Sequence, residues 1–177
     1  MLLAKIDELD KKIITMLQDD PSITHSQIAK ELSRSQPAIG ARIKKLTEHG
    51  ILATQIGVDF KKLQELTLVK VELTAIQPKE ILDMADYCPY VINALKISGE
   101  TNICMFMACS SLKRLDQIID KHFRSSHEIT GVRMDIVTGF ARQFILPIDF
   151  SIEHFDSADD PCTNCSHCAA NTIKLKT

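Results

Sequence analysis

The chain has 177 residues, 45% apolar and 25% charged, which suits one ordinary domain or two small ones. That apolar content can offset the entropy of ordering and excludes a wholly disordered chain. The longest apolar run, Ile103 to Cys109, is strand-sized and far short of the roughly 18–20 residues of a membrane helix. Net charge is −2, so nucleic-acid contact, if made, must come from a local patch rather than from the whole surface.

The opening stretch Met1 to Glu8 turns acidic too soon for a signal peptide, so a cytoplasmic location is expected. Composition divides the chain into residues 1–60, which read as helical, 61–150, which alternate strand-like and helix-like runs, and 151–177, a Cys-containing tail.

Ile6, Leu9, Ile13, Ile14 and Leu17 recur at three- and four-residue steps, one face of an amphipathic helix. Asp19-Asp20-Pro21 ends it, because the residue before proline avoids the helical region. Ile28, Ala29 and Leu32 form a second, short helix with Thr24 as N-cap. A third helix begins at Ser35, its expected N-cap, with Pro37 tolerated in the first turn. Its inward stripe is Ile39, Ile43 and Leu46, and Gly50 stops it. Ile51 to Val58 alternates enough to be a strand. This is the order of a winged helix-turn-helix.

With that stripe inward, Gln36, Pro37, Ala38, Gly40, Ala41 and Lys44 are expected outward or on the flanks. Small residues there let a helix approach a major groove. Gln36 can offer an amide to adenine, and Arg42, Lys44 and Lys45 can reach phosphates. Between Lys30 and Gly50 the charges leave a local excess of +3. Ser35, Gln36, Pro37, Ala38, Gly40, Ala41, Arg42, Lys44 and Lys45 are therefore the candidate contacts to double-stranded DNA.

The second part reads strand (Leu66 to Thr74), helix (Pro78 to Tyr87), strand (Val91 to Ser98), strand (Asn102 to Cys109), helix (Leu112 to Phe123) and strand (Ile129 to Thr138). This βαββαβ order is the ferredoxin-like split unit, one antiparallel sheet with helices on one face. The fold class is α+β. The open sheet face needs a cover, and a second copy of the chain is the expected one.

Leu9-Asp10, the run Ile28-Ala29 through Ser35, Ile39, Arg42-Ile43, Leu46 and Gly50-Ile51-Leu52 resemble the helix-turn-helix of the Lrp/AsnC family of regulators. The βαββαβ part is similar to that family's effector-binding and dimerisation domain, and the resemblance spans residues 6–148. It implies a transcription regulator, homodimeric or of higher order, answering to a small molecule such as an amino acid. The effector turn of that family maps onto Gly99, Glu100, Thr101 and Asn102. The glycine is kept, but Thr101 and Asn102 stand where the family places an aromatic residue and an acid.

Six cysteines occur, and three of them, Cys162, Cys165 and Cys168, are spaced C-x2-C-x2-C in the tail. Two-residue gaps let a tight turn aim successive sulfurs inward, and the spacing matches the first three ligands of an iron–sulfur run. Three thiolates suit a three-iron cluster, or a four-iron cluster with one other ligand. Zinc, with His167 or His154 completing the set, and a thiol–disulfide switch are the alternatives. A cluster would couple redox state, oxygen or iron supply to DNA binding. The two-domain architecture is also similar to sirohaem decarboxylases, which would give His122, His127 and Arg133 a pocket. No nucleophile–base constellation is visible, so an enzyme is not expected.

Overall fold

The computed structural model describes residues 6–150, 152 and 162. They fall into two compact units that divide between Gln55 and Ile56. Residues 56–60 join the second unit because Val58–Asp59 pairs within it and Phe60 is buried there.

The first unit holds α1 (Glu8–Asp19), α2 (His25–Glu31) and α3 (Gln36–Glu48). Both α1 and α2 open with a reciprocal capping box. Asp7 Oδ1 accepts from the Asp10 N–H at 2.8 Å while the Asp7 N–H donates to Asp10 Oδ2 at 3.1 Å. Thr24 and Gln27 do the same for α2. At α3, Ser35 occupies the N-cap position but its hydroxyl makes no capping hydrogen bond, contrary to expectation. The core is Ile13, Ile28, Ala29 and Ile39, with Leu9, Met16, Leu17, Leu32 and Ile43 packed around it. One helix stripe from each element thus meets at a common centre, which is what the three- and four-residue spacing requires.

Two helix ends share one device. After α2, Ser33 N–H donates to Lys30 O (3.3 Å) and Arg34 N–H to Ala29 O (2.9 Å); after α3, Gly50 N–H donates to Thr47 O and Ile51 N–H to Leu46 O, both at 2.9 Å. Each is a Schellman motif, with Ser33 at φ 51° and Gly50 at φ 67°. The expected strand at Ile51 to Val58 is reduced to its end. Residues 51–57 make no strand, and only β1 (Val58–Asp59) does, pairing with β6 (Ile145–Leu146) of its own unit.

The second unit is built on β2 (Thr67–Ala75), α4 (Pro78–Ala85), β3 (Val91–Lys96), β4 (Ile103–Cys109), α5 (Leu112–Ile119) and β5 (Ile129–Ile136). A π-helical turn, Asp120–Arg124, continues α5 where an unbroken α-helix is expected. The four strands form an antiparallel sheet in the order β3-β4-β2-β5. Val69, Val71 and Leu73 of β2 and Ile103, Met105 and Met107 of β4 face α4 and α5, with Leu115, Ile118, Ile119 and Phe123 filling the core. That alternation is the period of two expected of a half-covered sheet.

Part of the other sheet face, for which a second copy is the expected cover, is covered by the same chain. Leu68 and Ala108 are buried beneath Phe60, Phe140, Phe144 and Leu146 of the same chain. Phe144 meets Phe106 edge-on and stacks on Phe140, with centroids 5.9 and 5.4 Å apart. Elsewhere on this face Lys70 Nζ lies 3.3 Å from both Glu72 and Asp135, and Arg133 pairs with Asp135, beside Cys104 and an exposed Leu95.

Candidate nucleic-acid interface

Two elements place α3. The Schellman turn at Ser33 reverses the chain out of α2, and Ile39 and Leu46 anchor α3 by its buried stripe. The remaining surface of the helix then follows from its 3.6-residue turn. Gln36, Pro37, Ala38, Ala41, Lys44 and Lys45 are exposed, as is Ser35 ahead of them. Lys44 makes a loose pair with Glu48 at 3.7 Å.

Two of the expected contacts sit elsewhere. A Cβ built on Gly40 lies 3.4 Å from His25 Nδ1, so this glycine faces α2 rather than open solvent. Arg42 turns back to α1. Its Nη1 is 2.7 Å from Asp7 Oδ2 and 2.7 Å from Asp10 Oδ1. The paired carboxylates raise the guanidinium's already high pKa. The Asp10 N–H at the cap, and then Arg42, hold the Asp7 carboxyl below the usual carboxylate range. Sequence spacing did not reveal this tie, because Asp7 and Arg42 lie 35 positions apart.

The expected effector turn is also partly committed. Gly99 takes φ 143° and Glu100 is exposed, while Thr101 is half-buried. Thr74 Oγ1 donates to the Glu100 carbonyl at 3.1 Å. Asn102 does not offer its side chain to solvent. Its Oδ1 accepts from the Ala75 N–H at 2.9 Å and its Nδ2 donates to the Ala75 carbonyl at 2.7 Å.

Of the tail cysteines, Cys165 and Cys168 lie outside the described residues, as do His154 and His167. Cys162 is buried at φ 65° and joins Ile152 in the core of the second unit. Among the described residues no three His, Cys, Asp or Glu side chains converge on a metal-sized site. His127 and Arg133 are exposed, and Arg133 pairs with Asp135 on the sheet. No described helix is long and apolar enough to cross a membrane.

A helix-turn-helix unit with a lysine-bearing exposed helix, followed by a ferredoxin-like α+β unit, defines a DNA-binding transcription regulator. The family model described as winged helix-turn-helix DNA-binding matches residues 6–53. An uncharacterized HTH-type transcriptional regulator of Pyrococcus abyssi is 30% identical over 118 residues, covering 66% of this chain and 70% of that protein. The HTH-type transcriptional regulator LysM of Saccharolobus solfataricus is 29% identical over 136 residues, 76% of this chain and 94% of that one. The solved structure of AsnC from Escherichia coli shares the fold with a TM-score of 0.64 at 21% identity, over 79% of this chain and 97% of that one. The chain belongs to the Lrp/AsnC family of helix-turn-helix transcriptional regulators. These relatives are transcriptional regulators and not enzymes.

Proposed function

We propose that α3 is the element that enters the major groove, with Gln36 reading a base edge and Lys44 and Lys45 holding phosphates. The observation that carries this is the exposed surface of α3: small side chains at Ala38 and Ala41, an amide at Gln36, and two lysines whose ammonium groups stay in water. A homodimer would present two such helices to half-sites about one helical turn apart, roughly 34–36 Å, or a multiple of that. Its support is the pair of edge strands, β3 and β5, which carry half-exposed Leu95 and Ile136.

The test is duplex binding across a salt series. The 177-residue chain should bind promoter DNA, with affinity falling steeply as salt rises. Changing Lys44 and Lys45 to Ala should weaken binding on all sequences and reduce the salt slope by about one for each lysine lost. Gln36→Ala should instead change base preference, at about 1–3 kcal/mol for the preferred site. Absence of duplex affinity at low salt would overturn the groove reading.

The second reading is that Cys162, Cys165 and Cys168 hold an iron–sulfur cluster, with zinc as the rival, and so tie DNA binding to redox state or iron. What supports this reading is the C-x2-C-x2-C spacing, which supplies three thiolates for one soft metal centre. When bound, a cluster supplies one-electron chemistry and sensitivity to oxygen. Cys162 would transmit a change in the tail to the domain, because its side chain shares the packing of Ile152 and the sheet. Protein purified without air should carry iron and sulfide and absorb in the visible. Zinc alone would favour the rival, and neither metal would sink both.

A further inference from the structure

Arg42 stands on α3 among the residues that a groove-entering helix would use, yet its guanidinium points to α1. The two carboxylates it meets belong to the capping box that starts that helix. Asp7 and Asp10 already exchange backbone and side-chain hydrogen bonds, and Arg42 bonds to one oxygen of each at 2.7 Å. Asp10's side chain is only 13% exposed and Arg42's 36% exposed. The link is a partly desolvated strut between the first turn of α1 and the middle of α3, on elements otherwise joined through Ile13 and Ile39.

We infer that Arg42 is a positioning residue for DNA binding and that Asp7 and Asp10, though of the wrong sign for DNA, support that binding by holding α3 through it. This rests on α3 being the groove element. Hydrophobic packing fixes how deeply α3 sits, but it is tolerant of a small slide or roll. A planar guanidinium nitrogen held by two carboxylates is not, because the two N–H bonds of Nη1 lie at fixed directions in the guanidinium plane. Phosphates approaching this face meet Arg42 already neutralised by two carboxylates, so its net attraction for them is small.

The sign of one substitution separates positioning from phosphate contact. Asp7→Asn with Asp10→Asn keeps the oxygen at the cap, where Asn and Asp are equivalent, and removes the two negative charges. By Coulomb attraction alone this variant should bind DNA more tightly. If the strut positions α3, the double variant should bind the preferred duplex about tenfold more weakly, with the salt slope of the unaltered protein. Arg42→Met should lose about as much, and the triple variant no more than either, since all three break one unit. Arg42→Lys keeps the charge without the planar, fixed N–H directions and should fall between. Tighter binding by the Asp7, Asp10 variant, or a salt slope reduced by about one in Arg42→Met as in Lys44→Ala, would overturn the inference and leave the groove reading intact. Absence of duplex binding by the unaltered protein would overturn both. Circular dichroism confirms folding of each variant. Should Arg42→Met not fold, the Asp7, Asp10 variant carries the test alone.

Discussion

The side-chain amide of Asn102 closes a two-bond ring on the backbone of Ala75, accepting from its N–H at 2.9 Å and donating to its carbonyl at 2.7 Å. Ala75 sits where the register of β2 against β5 shifts. On the same edge of β2, the Asn102 N–H donates to Leu73 O at 2.9 Å, leading into the β2–β4 ladder. Asn102 thus satisfies both polar groups of a strand end that has run out of backbone partners on that side.

An aspartate at this position could accept but not donate. Asn102→Asp should therefore cost about 1–3 kcal/mol near neutral pH, from a lost donor and a carboxylate facing a carbonyl. The new carboxyl's folded pKa would be raised above its unfolded value. Stability should be kept at acid pH, where the group is protonated and can donate, and lost as pH rises through the raised value. Urea unfolding at several pH values reads both effects.

Ser33 and Gly50 perform the same service at the ends of α2 and α3, but only Gly50 is free of the Cβ penalty at positive φ. Ser33 is exposed, so replacing it loses no packing. Ser33→Gly should stabilise the first unit by about 0.5–1 kcal/mol, after allowing for glycine's extra freedom in the unfolded chain. Ser33→Val should destabilise it, because a β-branched residue tolerates that conformation worst. Thermal unfolding of the two variants against the unaltered protein checks the order.

Gly57 is hemmed in by the Leu146 backbone and by the Ile145 side chain. A Cβ there would lie 2.6 Å from the Leu146 carbonyl oxygen and 2.7 Å from its carbon. Gly57→Ala should push β1 away from β6 and expose Phe60, whose N–H bonds to Phe144 O at 3.0 Å. The expected loss is about 1–3 kcal/mol. Hydrogen exchange at Phe60 should quicken more than exchange in β4.

Asp7 makes the first unit acid-sensitive. Its folded pKa lies below the ordinary 3.8, first because of the Asp10 N–H and then because of Arg42. The unfolded chain therefore binds more protons than the folded one in that range. The contribution should be complete above about pH 5 and vanish as pH falls through the depressed value. Asp7→Asn should flatten this part of the pH–stability curve, with the two curves converging in acid.

Much of the architecture was legible in the chain. The spacing of Ile13, Ile28 and Ile39 found the helical core, Thr24 and Gly50 marked helix ends, and alternation at Val69, Val71 and Leu73 found the covered face of β2. These signals are local, since each depends on a few consecutive residues and one periodicity. Ile51–Gly57 was misread because alternation makes a strand only where a partner offers hydrogen bonds, and the partner, Leu146, is available to Val58 but not to the residues before it.

The linear order of residues determined which elements form, which of their faces turn inward, and that lysines and small side chains share the outer surface of α3. Only folding decided what long-range partners do with the rest. Arg42 became a strut because Asp7 and Asp10 arrive beside it, Asn102 became a strand clamp because Ala75 stands opposite, and part of the open sheet was covered by Phe60, Phe140 and Phe144 of the same chain. Propensity and periodicity act over a turn or a strand. A charge or an amide takes its role from whichever group the fold delivers within hydrogen-bond reach.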